Sequence, residues 1–287
     1  GGQTGGNTDH IGGVYVGGNK PAIMTTDVSS CSKGGVQAGI SAGSGQNRNA
    51  FNNGDHSENS SCNYNSGFTG TSAAAPTVSG VIALILEANP NLTWRDVKHI
   101  LASTSTQVDA SKSKSYLGVK QYDWITNAAG YKHHNWYGFG KINAAAAVSA
   151  AQSYIAGSLG SFVFPSSSSG TINSTFNSYA RTSYNLSISA PEGSAGKVEF
   201  VRVFISMSHA IPNNVGLELK SPDGTTVPIL QSFTRVTNNP NGTEFGIGVG
   251  ALYGENMAGT WTLYVTDYTN DSVNGNLNSW DIIVYGH

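Results

Sequence analysis

The stretch from Gly70 to Ala88 constrains this chain more than any other part of it. It reads Gly-Thr-Ser-Ala-Ala-Ala-Pro and continues Thr-Val-Ser-Gly-Val-Ile-Ala-Leu-Ile-Leu-Glu-Ala, small or apolar on nearly every face. A helix without a polar stripe belongs in the middle of a large domain, covered on almost all sides. Pro76 suits a helix only near its beginning, so the start is predicted at Thr71 or Ser72. Asn89-Pro90-Asn91 ends it. Thr93, with Asp96 three residues on, predicts a capping-box start for a second helix that runs to about Ser103. A third, Ala-rich helix is predicted from Asn143 to about Tyr154.

After Ala156 the pattern changes. Residues 157–170 (GSLGSFVFPSSSSG) read as a Ser/Gly-rich connector. Beyond it, short alternating stretches are predicted as strands: Tyr184–Ala190, Lys197–Ser206, Val215–Lys220, Thr226–Gln231, Phe245–Leu252, Thr260–Thr266 and Ser279–Tyr285. Turn signals such as Ser221-Pro222-Asp223-Gly224 separate them. That many short strands predict a sandwich or jelly roll over 171–287. Its expected core includes Phe200, Val203, Phe204, Leu217, Leu219, Trp261 and Trp280.

Composition narrows the class. Charged residues make up 11% of the 287, and the net charge is −2. That balance gives no electrostatic footprint for nucleic acid. Hydrophobic residues at 38% argue against disorder. No apolar run is expected to span a bilayer, which takes about 20 residues. The polar, Gly-rich mixture suits a secreted protein. The two cysteines, Cys31 and Cys62, read as a disulfide or as two buried thiols, and with this composition the bridge, which also suits secretion, is the expectation. The opening residues lack the basic start and apolar centre of a signal peptide.

The chemical signal is the serine at the head of the apolar helix. A hydroxyl becomes a nucleophile when a base takes its proton and donors receive the developing oxyanion. A first helical turn offers unpaired N–H groups and the positive end of the dipole. Taken alone, Ser72 reads as an N-cap. The wider string Gly70-Thr71-Ser72-x-x-x-Pro76, however, resembles the nucleophile motif of the subtilase family. The continuation GVIALILEANPNLTWRDVKHIL is similar to that of kexin-type members, as is Tyr137-Gly138-Phe139-Gly140-Lys141-Ile142-Asn143-Ala144. Trp261-Thr262-Leu263 and Leu277-Asn278-Ser279-Trp280 resemble strings of the P domain.

The resemblance implies a subtilisin-like α/β catalytic domain, its C-terminal part in 1–156, a linker at 157–170 and a β-sandwich P domain at 171–287. It implies a secreted serine endopeptidase acting on proteins and peptides through an acyl-enzyme on Ser72. Gly70, Thr71 and Pro76 complete the nucleophile and oxyanion motif. In subtilisin the triad runs Asp, His, Ser along the chain, with roughly 150 residues between His and Ser. Here Asp9-His10 and Asp55-His56 are adjacent pairs read as solvated loop residues, and His133-His134 as surface packing. The triad Asp and His are therefore expected from an N-terminal part of the same protease, which is the implied partner. Gly1-Gly2 resembles the pair after the family's oxyanion-hole Asn, with Asn7 an alternative position for that Asn. Gly5, Gly6 and Asn7 stand where kexin-type enzymes carry an acid for basic substrates, with Asp9 slightly beyond, so broad specificity is expected.

Asp267 and Asp271 are candidate ligands for structural Ca²⁺, in an Asp/Asn-rich stretch that otherwise reads as a polar hairpin loop. The competing function is a proteolytically inactive binding or adhesion module built on the P domain. Another serine hydrolase is disfavoured, because there is no Gly-x-Ser-x-Gly elbow.

Overall fold

The computed structural model describes residues 10–11, 14–15, 23–36, 50–53, 56–68, 70–116, 119–233 and 244–287. These form two compact units, Gly1–Pro90 and Asn91–His287. In chain order the first holds β1 (His10–Ile11), β2 (Val14–Tyr15), β3 (Ile23–Thr26), β4 (Tyr64–Phe68) and α1 (Thr71–Ala88). The second opens with α2 (Trp94–Thr104), β5 (Lys114–Tyr116), β6 (Val119–Tyr122), β7 (Ile125–Thr126), β8 (Lys132–His133) and α3 (Ala144–Ser153). It continues with β9 (Ser166–Ser168), β10 (Ser174–Phe176), β11 (Arg181–Ile188), β12 (Val198–Ser208), β13 (Val215–Lys220), β14 (Thr226–Leu230), β15 (Glu244–Val249), β16 (Gly259–Asp267) and β17 (Gly275–Gly286).

In the first unit β3 and β4 pair antiparallel. The Cys31–Cys62 disulfide closes a loop of sequence separation 31. Such a crosslink is worth about 3–4 kcal/mol in chain entropy. Several buried polar groups here are satisfied locally, although among the described residues Asn63 Oδ1 is not. Asn59 donates to the Phe51 and Tyr64 carbonyls, and the Ser66 amide and hydroxyl both reach Asn52 Oδ1.

The helices begin where the residues say they should. Thr93 and Asp96 form a reciprocal capping box on α2, and Asn143 caps α3 through the Ala146 amide. Gly140, in the string before α3, has φ +120°, and a Cβ there would run into the Thr106 carbonyl. That carbonyl and the Thr106 amide pair with Lys141. Only glycine fits this approach.

The sandwich has two antiparallel sheets. One runs β10-β17-β12-β15, with β9 also on β17, and the other runs β11-β16-β13-β14. Val201, Val203 and Ile205 of β12 face Trp261, Leu263 and Val265 of β16 within one core. Each large side chain fully removed from water contributes about 1.5–3 kcal/mol. Val203, Leu217, Leu219, Trp261 and Trp280 are core as expected. Phe200 and Phe204 are not. The alternation that sends Val201, Val203 and Ile205 inward turns both rings to the outer face. There they lie over Gly248 and Gly246 of the edge strand. Residues 157–170 are more than a connector. Val163 bridges Gly286, the Val284 amide donates to the Pro165 carbonyl, and β9 pairs with β17.

Glu199 ties α2 to the sandwich. The β12–β17 register shifts between Val198 and Phe200, so Glu199 is the extra residue of a bulge. Its carboxylate accepts from Arg95 Nε at 3.0 Å and from His287 Nδ1 at 2.9 Å, while Lys98 Nζ donates to its carbonyl. Burial raises the Glu199 pKa, but these donors and the Arg95 charge outweigh it and bring it down to about 2. His133 is shifted down to about 4, chiefly by burial, so its ring is held neutral.

Both depressed values make stability fall with acid. The His133 contribution is complete above its ordinary 6.5 and lost as pH drops towards about 4. The Glu199 contribution is complete above 4.5 and lost towards about 2. Urea unfolding as a function of pH should show both windows, and Glu199→Gln should shrink the lower one to the share left by Asp27, Asp96 and Asp271, whose carboxyls are also held low. Removing Glu199 by Glu199→Ala should cost about 3 kcal/mol at neutral pH, because it takes the carboxylate from a largely buried Arg95 and leaves it the Gly160 carbonyl.

Candidate active site

Gly70 precedes α1 with φ 85° and ψ −175°, a conformation that side chains resist. A Cβ there would have nothing within 4 Å, so the backbone angle and not crowding requires glycine. The turn places Ser72 as the second residue of α1, with both Thr71 and Ser72 exposed. The amides of Ala73 and Ala74 both reach the Gly70 carbonyl, at 3.1 and 3.3 Å. Among the described residues, the amides of Thr71 and Ser72 have no backbone acceptor. These two N–H groups stand at the positive end of a helix in the same turn as Ser72, an arrangement that favours negative charge.

Pro76 lies inside the helix, in its second turn and not its first. It lacks the N–H that would pair with the Ser72 carbonyl four residues back. The backbone oxygen of Ser72 therefore has no helical donor at that place. Only Ala73, Ala74, Val81 and Ile85 of α1 are buried, and Leu84 is 49% exposed. The expected all-round burial is absent among the described residues. The Ala73, Ala74, Val81 and Ile85 stripe is covered, and the remaining apolar surface faces outward.

Several of the described imidazoles are engaged in caps and packing. His56 caps a 3-10 turn by accepting from the Glu58 amide. His134 is fully buried, correcting its reading as surface packing. Its Nδ1 accepts from the Trp136 amide at 3.0 Å, and Nε2 lies 3.2 Å from the Lys112 carbonyl. A His-Asp pair that the sequence did not reveal lies in the sandwich. His209 Nε2 is 3.1 Å from Asp267 Oδ2, both side chains wholly buried. Because Nδ1 accepts from the Ile211 amide, the proton sits on Nε2 and points at Asp267. Both nitrogens are occupied, so the pair is structural. No spacing rule links residues 58 apart, and only folding brings them together. The expectations on Gly1, Gly2, Gly5, Gly6, Asn7, Asp9 and Asp55, and on the side chain of His10, lie outside the described residues.

Asp267 and Asp271 do not fit calcium, which wants converging oxygen ligands. Asp267 Oδ1 accepts from the Thr269 amide at 3.0 Å, and its Oδ2 faces His209. Asp271 Oδ1 accepts from the Val273 amide at 2.9 Å, and its Oδ2 from Asn214 Nδ2 at 3.2 Å. Hydrogen bonds, led by that from Val273, hold the Asp271 carboxyl below the usual range. Both side chains thus spend their oxygens on donors. Among the described residues, no group of three or more His, Cys, Asp or Glu could hold a metal ion.

Known proteins share this layout. A family model described as "Subtilase family" matches residues 15–140, and one described as "Proprotein convertase P-domain" matches 198–284. The chain joins a subtilase segment to a proprotein convertase P domain. Human proprotein convertase subtilisin/kexin type 6 is 34% identical over 226 residues, covering 77% of this chain and 22% of that protein. Human proprotein convertase subtilisin/kexin type 7 is 32% identical over 224 residues, covering 77% and 27%. The chain thus spans about a quarter of the length of these relatives. A serine protease of Aeromonas sobria superposes with a TM-score of 0.78 at 28% identity, over 93% of this chain and 52% of that one.

The subtilase match also bears on α1. By length and composition alone, this 18-residue helix could cross a membrane, contrary to the expectation that no run came close. Such a test is also passed by core helices of soluble proteins, and one candidate helix inside a subtilase match does not make a membrane span. In the P domain, Asp267→Asn should destabilise by about 1–3 kcal/mol through the loss of a buried charge-assisted bond. The loss read from urea melts should be equal with and without chelator, since the carboxylate serves His209 and Thr269.

Proposed function

We propose that this chain carries the nucleophile of a secreted serine endopeptidase of the kexin type. The observation that carries it is the start of α1: an exposed Ser72 two residues after a positive-φ Gly70, in a turn whose Thr71 and Ser72 amides have no backbone acceptor among the described residues. In the reaction, a base removes the Ser72 proton as Oγ attacks the scissile carbonyl, and the oxyanion draws on the Ser72 amide. Collapse expels the amine and leaves an acyl-enzyme, which water then hydrolyses. Gly70 and Thr71 hold the turn, and Pro76 shapes the helix behind it.

The base and its orienting carboxylate come from polypeptide preceding Gly1. The relatives, several times longer than the matched region, support this reading. That polypeptide is also the natural cover for the exposed apolar surface of α1. Secretion is supported by the Cys31–Cys62 bridge, which persists in oxidising compartments. Substrates are proteins and peptides, with broad preference at the residue before the cut. Structural calcium, common among subtilases, is assigned to no residue of this chain.

A fluorophosphonate should label Ser72 in the complete enzyme and fail to label Ser72→Ala. That substitution should lower kcat by on the order of 10⁶-fold, as loss of a serine nucleophile does. Retained peptidase activity in Ser72→Ala would sink the assignment. Comparing peptides with Arg, Phe or Leu before the scissile bond reads the specificity.

A further inference from the structure

Trp136 leaves 53% of its surface in solvent although it stands on a stack of rings. The Tyr122 ring centroid is 4.3 Å from it, and Tyr122 packs in turn on His134, which lies against Trp124 and Tyr137. The indole is therefore held in one place by packing. It forms a wall of a groove of about 350 Å³, whose other sides include Lys114, Gln121, Gln231 and Ser232. That volume falls within the range of about 300–1,000 Å³ usual for small-molecule sites.

The polar side of the groove is built from distant pieces of chain. Gln121 Nε2 donates to Ser232 Oγ at 3.4 Å, and Gln231 Nε2 donates to the Gln121 carbonyl at 2.5 Å. Gln121 and Ser232 are 7% and 3% exposed. These bonds fix both side chains and leave the Ser232 hydroxyl proton and Gln231 Oε1 unused by them. The groove thus presents a donor, an acceptor and the Lys114 ammonium opposite an aromatic ring.

We propose that this groove binds a glycan, with one pyranose unit on Trp136. A pyranose has an apolar C–H face, which stacks on an indole, and hydroxyls that both give and accept hydrogen bonds at its edge. A second groove on the same unit makes the contrast. There Trp94, Phe162, Phe200 and Tyr285 line a wall that is almost wholly apolar, with Lys98, Arg202 and the Arg95-paired Glu199 as its polar neighbours. The described residues lining the Trp136 groove include no carboxylate, and of the two cations beside the ring Lys114 is in the wall while the exposed Lys112, whose Nζ lies 5.3 Å from the indole centroid, must swing aside for a neutral sugar. This site is independent of the chemistry at Ser72 and adds a recognition function to it.

The test uses the complete protein with cellohexaose, chitohexaose and a high-mannose glycopeptide, alongside the same peptide without its glycan, by titration calorimetry and tryptophan fluorescence. Saturable binding of at least one glycan is expected, with Kd of about 10 μM to 1 mM. Hexaose binding marks a polysaccharide source, and glycopeptide binding a glycoprotein source. Trp136→Ala should weaken binding by at least about tenfold, Ser232→Ala and Gln231→Ala by about three- to tenfold, and Trp94→Ala not at all. If Trp136→Ala fails to fold, Trp136→Phe and Gln231→Ala decide. Cleavage of an unglycosylated peptide should be unchanged in Gln231→Ala, which separates this site from the nucleophile. Absence of saturable binding to all three glycans, equal binding of the bare peptide, or wild-type affinity in the deciding variants would overturn the proposal.

Discussion

A carboxylate that sits out of register holds the larger unit together. Glu199 is inserted between two core-flanking residues of β12, and the bulge turns it away from the alternation of the sheet. It meets a guanidinium from α2, the His287 imidazole and, through its carbonyl, the Lys98 ammonium. A buried carboxylate is unfavourable unless its oxygens are filled, and here they are. Because Arg95 lies in the first turn of α2, beside the capping residues, the ion pair fixes the end of the helix as well as its distance from the sheet. The helix that follows the subtilase serine helix is thus part of the P-domain body. Asn127 adds to this seam by donating to the Ala251 and Tyr253 carbonyls, and Glu255 by accepting from the Ala128 amide.

The start of α1 follows a different logic. Its geometry rests on an absence at each of two positions: no side chain at Gly70 and no N–H at Pro76. The first permits the backbone angle that launches the helix. The second leaves the carbonyl of Ser72 without its usual partner. Local chemistry alone can set such features, which is why this part of the site is complete in a short stretch of chain. The acid-base partners of a serine nucleophile have no such local rule, and they come from wherever the fold delivers them.

That distinction explains what was legible in the sequence. Caps could be read, because Thr93 with Asp96 and Asn143 with Ala146 act over three residues. Strands of the sandwich were visible from alternation, and Val215–Lys220 had the predicted ends. The assignment of faces failed at Phe200 and Phe204, because an aromatic ring is apolar wherever it points, and only Gly246 and Gly248 across the sheet make room for it outside. The short strands β9 and β10 escaped because Ser-rich segments carry no hydrophobic period, and their pairing is imposed by β17. His209 with Asp267 was invisible, since neither residue has a local pattern that announces the other. Asp267 and Asp271 suggested a metal by composition, and hydrogen-bond donors, several from distant segments, use up their oxygens.

The place of β17 governs when this architecture can form. It is the last strand described, yet it lies inside its sheet, bonded to β9, β10 and β12. Nearly all of its partners precede it by scores of residues, and closing such long loops is slow. During synthesis the chain therefore emerges with one sheet complete in its strands and the other lacking the strand at its middle. A ribosome paused before Gly275 would hold a polypeptide in which the 163–169 strap has no strand to pair with and β12 has β15 on one side alone. Assembly of the sandwich waits for its final dozen residues.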